Sequence, residues 1–305
     1  MIYITNNTCT QHNIVKETYD IYTFFYINNV ISYSFDESTY DTINIHITES
    51  RDLDNTNKLY FILEYNYPSR DAFAHWVYES AIYLELFIIL KKRYNNLKLL
   101  LQTRHNFKKL FCNFFNISDD DIIYEIDTNN TNKCIFPSPI SSLHLKNIDT
   151  IDIYREQINR FKNYILKFMN NVKNIEYTIM PRQSKENYKG NDRNYSFTDI
   201  INLFQNITSK TYHILNTDYI ENLHTQISIV SSSKNVILSD GSALLVNNLF
   251  THNSNILIID KFTQNQAANY PKMSLLLKYI SEINGNTLIY FNNDVEICNY
   301  LQTVI

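Results

Sequence analysis

The chain has 305 residues, of which 44% are hydrophobic and 19% charged, and its net charge is −4. At roughly 150 residues per domain this length predicts about two domains with buried cores. The acidic balance and the lack of a basic tract exclude general nucleic-acid binding, which needs many cations against phosphates.

The first part of the chain is predicted to begin with strands and then to alternate strands with helices. Residues 31–35 and 42–48 alternate apolar and polar side chains, and 58–65 is a denser, buried type of strand. A long helix is expected from about Phe73 to Tyr94. A further helix over 105–115 then lies among short strands at 97–102, 121–126 and 133–136.

The segment 137–142 is the clearest linker-like punctuation, and regular alternation follows it. A helix is predicted over 150–171. Strands are then predicted at 175–180, 211–215, 235–238, 255–260 and 287–291, with helices at 197–204, 220–230, 242–250, 273–280 and 295–301. Such alternation is typical of parallel sheets covered on both faces. We therefore predict an α/β protein with an N-terminal domain over 1–148 and a C-terminal domain over 149–305.

The sequence favours a soluble, cytoplasmic protein. The N-terminus lacks a basic region followed by an apolar core, so it does not resemble a signal peptide. The most apolar stretch, Ala81–Leu90, is too short to span a bilayer and contains Glu85. The four cysteines are scattered and form no C-x-x-C, which indicates a reducing compartment and neither a disulfide framework nor a zinc knuckle.

One of only three glycines, Gly241, lies between a predicted buried strand and a predicted helix. Ligands of open parallel sheets bind outside the carboxyl ends of the strands, and the amides of a helix N-terminus favour an anion. Gly241 and Ser242 are therefore candidates for holding the phosphate or sugar end of a nucleotide-linked donor. The alternative is an ordinary turn in which Ser239 or Asp240 caps the helix.

Two further segments carry candidate chemistry. The strand 175–180 runs into a basic loop that includes Arg182 and Arg193, and arginine suits bidentate contact with a diphosphate, although a solvated loop is the alternative. In the predicted helix after residue 72, His75 and Glu79 are four residues apart and share a face, which suits a general base. The alternative is a histidine that packs or caps. The full H-E-x-x-H motif is absent, so no metal is expected.

The aspartates at 119–121 invite a D-x-D reading, but a helix-to-strand loop with Asx turns is the favoured interpretation.

Taken together and in order, these segments resemble glycosyltransferase family 61, which includes the EGF-domain O-linked N-acetylglucosamine transferase and plant xylosyltransferases. The resemblance covers about residues 70–260. An H-[FW]-x-x-[DE] helix motif is matched by His75, Trp76 and Glu79, and a strand followed by a loop with two arginines is matched by Arg182 and Arg193. An E-Q-[IV] helix motif and H-G-[AS]-x-L-x-N-x-x-F are matched by Thr225, Gln226 and Ile227 and by Asp240, Gly241, Ser242, Ala243, Leu244, Asn247 or Asn248, and Phe250.

The resemblance implies a GT-B-like fold, in which two Rossmann-like domains face a cleft, here with a strand-rich N-terminal segment. By analogy with that fold, the last helix is expected to cross back onto the first domain. It also implies an inverting, metal-independent transfer from a UDP-sugar to a hydroxyl of a glycan or glycoprotein, with no cofactor beyond the donor. The residues implied are His75 and Glu79 for catalysis, and Arg182, Arg193, Gln226, Asp240, Gly241 and Ser242 for the donor.

Two positions depart from the family pattern. Asp240 stands where the family has His, and Thr225 stands where it has Glu. These departures motivate an alternative hypothesis of a catalytically inactive, sugar-binding or scaffold relative.

Overall fold

The structure is a computed structural model, and it divides the chain into two compact units, Met1–Phe161 and Lys162–Ile305. The residues that it describes are 14–20, 22–35, 45–49, 58–64, 72–127, 129, 132–138, 155–181, 197–206, 210–216, 222–259, 265 and 271–305. The division falls within a helix, Arg155–Leu166. The predicted domain boundary at 148/149 lies outside the described residues and stays a prediction.

The first unit is built on a mixed sheet of seven strands. They are β1 (Ile14–Tyr19), β2 (Tyr22–Phe35), β3 (Ile45–Glu49), β4 (Lys58–Ile62), β5 (Leu97–Leu100), β6 (Ile122–Ile123) and β7 (Asn132–Ser138). The sheet order is β1-β2-β7-β4-β5-β6, with β3 paired to β2. The strands β4 to β7 run parallel, whereas β1, β2 and β3 add antiparallel pairs. Counted from β4, the parallel strands follow the 3-2-1-4 order of doubly wound sheets.

Four helices lie among the described residues of this part of the chain. They are α1 (Phe73–Glu79), α2 (Leu84–Arg93), α3 (Asn106–Phe114) and α4 (Arg155–Leu166). A 3-10 turn, Ala81–Tyr83, joins α1 to α2, so the long predicted helix is present with one interruption. The combined stretch Phe73–Arg93 has the length and composition to cross a membrane, but 78% of its most apolar window is buried inside the protein. This burial is typical of a core helix in a soluble protein.

The linker predicted over 137–142 begins too early. Pro137 and Ser138 belong to β7, where they pair with Phe24 and Thr23 of β2. On its other side, β7 pairs with β4 only as far as Ile135. Proline lacks an amide hydrogen and is tolerated where a strand has lost one neighbour. The remaining linker residues lie outside the described part of the chain.

The second unit is built on a parallel sheet of five strands. They are β8 (Ile175–Met180), β9 (Tyr212–Ile214), β10 (Ser233–Ser239), β11 (Asn255–Ile259) and β12 (Thr287–Phe291). The order β12-β11-β10-β8-β9 is the 2-1-3-4-5 order of a doubly wound sheet read from the β9 edge. The prediction of an α/β fold is thus confirmed. From β8 the chain first adds β9 on one side and then adds β10 on the opposite side. The strand order therefore reverses between β8 and β10, which makes that pair the topological switch point.

The helices of the second unit are α5 (Thr198–Gln205), α6 (Leu223–Ser231), α7 (Ser242–Phe250), α8 (Pro271–Asn284) and α9 (Asp294–Val304). A core on one face joins α5 and α9 to the sheet through Ile179, Ile237, Leu257 and Ile259, among others. The helices α6, α7 and α8 pack along one another. The last helix packs on the sheet of its own unit, where Ile297 and Leu301 are buried in this core. Its expected crossing onto the first domain stays a prediction.

Candidate functional site

The carboxyl ends of β8 and β10 lie side by side in the second unit. The strands are parallel, and Leu238 of β10 is in register with Met180 of β8. The segments that follow them, from Pro181 and from Ser239, therefore leave the sheet at the same edge and at the switch point. Ligands of doubly wound folds bind at this position. We call residues 239–244, at this edge, the switch-point site.

Gly241 starts α7 in a conformation that only glycine adopts readily. Its φ is 91° and its ψ is −136°, and L-residues are strongly disfavoured at positive φ of this kind. Having no side chain, Gly241 gives the helix no side-chain cap. Among the described residues, the amides of Ser242, Ala243 and Leu244 have no recorded acceptor, as expected for the first turn of a helix. Ser242 is exposed and Ala243 half-buried, so these donors lie near the surface.

Asp240 brings a negative charge to the switch-point site. It is fully buried, and its Oδ1 accepts a hydrogen bond from the Gly241 amide at 2.6 Å. Its own amide donates to the carbonyl of Ile259 at 3.0 Å, which continues the pairing with β11. Burial, followed by the nearby Asp240 carboxylate, raises the pKa of Tyr290. The Asp240 carboxylate thus occupies the Gly241 amide and disfavours a bound anion by charge repulsion. The amides of the first turn of α7 favour a bound anion.

Gln226 holds the start of α7 from the neighbouring helix α6. Its Nε2 donates to Oδ1 of Asn247 at 2.8 Å, and Nδ2 of Asn247 donates to the carbonyl of Ala243, also at 2.8 Å. Gln226 is buried, so the contact is shielded from water. The described contacts place it beneath the first turn of α7, where it positions the backbone.

Arg182 and Arg193, the remaining predicted donor residues, lie outside the described residues. Their assignment to a diphosphate stays a prediction. The described chain reaches Pro181, one residue before Arg182, at the carboxyl end of β8.

In the first unit, His75 and Glu79 form the pair that their spacing predicts. Nδ1 of His75 lies 2.7 Å from Oε1 of Glu79, and both side chains are buried. A carboxylate hydrogen-bonded to Nδ1 favours the tautomer whose Nε2 is unprotonated, and that nitrogen is then the acceptor for a proton. The geometry is compatible with a general base that a carboxylate orients.

A buried ion pair beside this helix was not predicted from the sequence. Glu64, just after β4, accepts hydrogen bonds from Lys108 Nζ, from Trp76 Nε1 at 3.0 Å and from the Gln102 amide at 2.6 Å. Lys108 also donates to Oγ1 of Thr103 at 2.5 Å. Burial raises the pKa of the Glu64 carboxyl, whereas Lys108 and the two N–H donors lower it.

The sequence does contain a signal for this pair. Lys108 is spaced 3, 4 and 7 residues from Phe111, Cys112 and Phe115, so it lies on the buried face of the helical pattern. A charged residue on such a face requires a buried partner of opposite charge. Glu64 lies near the end of the predicted buried strand 58–65, which makes it a candidate for that partner.

A cationic cluster at the amino-end side of the second sheet was also not predicted. Lys162 Nζ donates to the carbonyl of Leu249 at 2.7 Å, and Lys173 Nζ donates to the carbonyl of Ser231 at 2.7 Å. Each thereby satisfies a carbonyl at the C-terminal end of a helix, where a cation is favourable. Burial, and then repulsion from Lys173, lowers the pKa of Lys162 to about 7. Burial lowers the pKa of Lys173 to about 8.

The aspartates 119–121 form a 3-10 turn, in line with the favoured loop interpretation. Asp121 is paired with Lys91 at 2.7 Å and with Lys98 at 3.4 Å. Within the part of the chain that the structure describes, no group of three or more His, Cys, Asp or Glu side chains is placed to hold a metal ion.

No family model matches the chain, and no curated protein matches it. The resemblance to glycosyltransferase family 61 therefore depends on the motifs quoted above.

Proposed function

We propose that the chain is a glycosyltransferase that transfers a sugar from a UDP-sugar to a hydroxyl of a glycan or glycoprotein. The observation that carries the proposal is the switch-point site, where a helix begins at a glycine with positive φ and presents amides that have no acceptor among the described residues. Helix N-termini at this position of a doubly wound sheet commonly bind phosphate groups. A nucleoside diphosphate is the part of the donor that suits these amides.

Two doubly wound units also support the GT-B-like arrangement, which belongs to this proposal. In the second unit, Ser242 and the amides after it hold the diphosphate, and Arg182 and Arg193 neutralise the departing UDP. In the first unit, His75 accepts the proton of the acceptor hydroxyl, and Glu79 orients its ring. The family resemblance implies an inverting, metal-independent transfer, and a single in-line displacement of that kind needs only one base and a stabilised leaving group. Cytoplasmic action is part of the same proposal.

The switch-point amides can be tested one at a time. Proline is tolerated at the first position of a helix, so Ser242→Pro removes one amide and one hydroxyl while keeping α7. Ser242→Ala removes the hydroxyl alone and is the matched control. We expect Ser242→Pro to weaken UDP binding in calorimetry about 10-fold beyond the control, the value of one charge-assisted hydrogen bond. Equal affinities for the two variants would remove the switch-point amides from the proposal.

The base is tested by transfer assays with UDP-N-acetylglucosamine, UDP-xylose and UDP-glucose. We expect His75→Gln to lower the transfer rate by about 10²- to 10⁴-fold, the usual contribution of a general base, and to leave UDP affinity unchanged. Transfer at the original rate would show that His75 has no catalytic role. Absence of both transfer and UDP binding in the unaltered protein would end the proposal.

A second candidate, an inactive sugar-binding relative, is favoured by one observation. The buried Asp240 takes the Gly241 amide and places a carboxylate beside the diphosphate. Binding of UDP or of glycans without any transfer would select this alternative.

A further inference from the structure

Ser239, the last residue of β10, carries a hydroxyl whose position is unusual for a buried side chain. The residue is 0% exposed, and its Oγ has no hydrogen-bond partner among the described residues. Buried hydroxyls nearly always have a partner, because the loss of their contact with water is costly. Ser239 lies three residues before the first residue of α7, within the switch-point site.

The strand register shows why the neighbouring described strands offer this hydroxyl no partner. Side chains alternate along a strand, so Ser239 shares the face of Ile237, which packs in the core with α5 and α9. Its neighbour on β11 is Ile259, and the register of β8 places Pro181 on the other side. Neither neighbour has a polar side chain. The hydroxyl therefore lies on the α5 and α9 face of the sheet, at the carboxyl end of β10, with an apolar neighbour on each side.

We propose that the Ser239 hydroxyl donates a hydrogen bond to a phosphate oxygen of the bound nucleoside diphosphate. This inference rests on the proposed function and adds a ligand contact to it. The other polar groups at this edge argue for an anionic oxygen. The first amides of α7 are donors without recorded acceptors in the described chain. A group that accepts from amides also accepts from a hydroxyl.

Ser233 provides a matched control, since it is the first residue of the same strand and is equally buried. Its Oγ donates to the Ile229 carbonyl at 2.8 Å and lies 2.6 Å from Oγ1 of Thr178. Ser233→Ala and Ser239→Ala therefore delete the same atom from one strand, once with partners and once without. Ser239→Thr keeps the hydroxyl and tests for its rescue.

The experiment has two measurements. Calorimetric titrations measure the affinity for UDP, inorganic pyrophosphate and uridine, and thermal unfolding measures the stability of the free protein. For Ser239→Ala we expect UDP and pyrophosphate affinity to fall about 10-fold and uridine affinity to stay constant. We expect its midpoint of unfolding to stay constant or to rise by a few degrees, because a buried hydroxyl without a partner is removed. For Ser233→Ala we expect unchanged affinities and a midpoint lowered by a few degrees. Ser239→Thr should retain UDP affinity within about threefold.

The outcomes separate this inference from the proposed function. Unchanged UDP and pyrophosphate affinity in Ser239→Ala overturns the inference, even where the unaltered protein transfers sugar. A midpoint that falls as far as in Ser233→Ala also overturns it, since the hydroxyl then has a partner in the free protein. Binding of UDP that depends on Ser239 without any sugar transfer supports the inference and contradicts the transferase. Failure of the unaltered protein to bind either UDP or pyrophosphate overturns both.

Discussion

Replacing Lys108 by methionine removes the only cation that contacts Glu64 in the described structure. The two side chains form an ion pair in which neither is more than 1% exposed. After the change, Glu64 keeps two donors, Trp76 Nε1 at 3.0 Å and the Gln102 amide at 2.6 Å. Methionine preserves the length and most of the volume of the lysine stem. The perturbation is therefore the loss of one charge from a packed site.

The cost follows from the environment of the carboxylate that remains. Removing one partner of a buried ion pair costs about 3–5 kcal/mol, because the other charge is left uncompensated. The two remaining N–H donors still stabilise the carboxylate, so we expect the lower end, about 3 kcal/mol. That is a large fraction of the roughly 5–15 kcal/mol that stabilises an ordinary folded protein. The double variant Glu64→Gln with Lys108→Met removes both charges and should cost less than the sum of the single variants.

Urea unfolding measures this cost, and the chain supplies its own local probe. The single tryptophan, Trp76, donates directly to Glu64, so its fluorescence reports on the first unit. Lys109→Met is the control, since Lys109 is exposed and lies 4.0 Å from Asp119. It should change the unfolding free energy by less than about 0.5 kcal/mol. A cost below about 1 kcal/mol for Lys108→Met would refute the view that a buried charge is left uncompensated.

Three further predictions concern the second unit. Gly285→Ala should lower the unfolding free energy by about 1–3 kcal/mol, because the φ of Gly285 is +65° and an added Cβ would lie 2.5 Å from Oδ1 of Asn253. Thermal unfolding measures this loss, and an unchanged midpoint would contradict the prediction. Burial lowers the folded-state pKa of Lys162 from the usual 10.5 to about 7, so the unfolded chain binds more protons between those values. The unfolding free energy should therefore rise with pH across that window, by up to ~1.4 kcal/mol per pH unit. Lys162→Met should flatten this dependence of the unfolding free energy on pH. If the variant and the unaltered protein show the same dependence, Lys162 is not its cause. Asp240→Asn keeps the acceptor for Gly241 but removes the charge, and UDP affinity should rise about 10-fold in calorimetry; a fall would show that the carboxylate binds the ligand.

The regular part of the fold could be predicted because periodicity reports local burial. The five strands of the second sheet and the helices between them agree closely with the apolar runs, since both faces of a parallel sheet are covered. The first sheet was harder to predict, because its antiparallel strands depend on pairing between distant segments. Pro137 reads as a linker residue in isolation, and only its pairing with Phe24 makes it part of a strand.

The candidate site shows the same division between local and distant information. The contact of His75 with Glu79 follows from helical spacing alone, and the structure has it at 2.7 Å. The ion pair of Glu64 and Lys108 joins residues that are 44 positions apart, so the helical pattern marks Lys108 as buried but does not specify its partner. That Ser239 Oγ has no hydrogen-bond partner among the described residues is still harder to predict from the sequence, because it depends on which side chains occupy the neighbouring strands.

The start of α7 bears on whether Gly241 serves a turn or a ligand. The helices α6 and α9 of the same unit begin with Asn222 and Asn293, whose side chains accept from the His224 and Glu296 amides at 2.8 and 3.0 Å. A turn alone would be served equally well by such a cap, which glycine replaces at a cost of only a few tenths of a kcal/mol. The small cost explains why the cap can be lost but not why the backbone adopts a positive φ there. The proposed nucleoside diphosphate would supply that reason, because an approaching phosphate needs both bare amides and the absence of a Cβ.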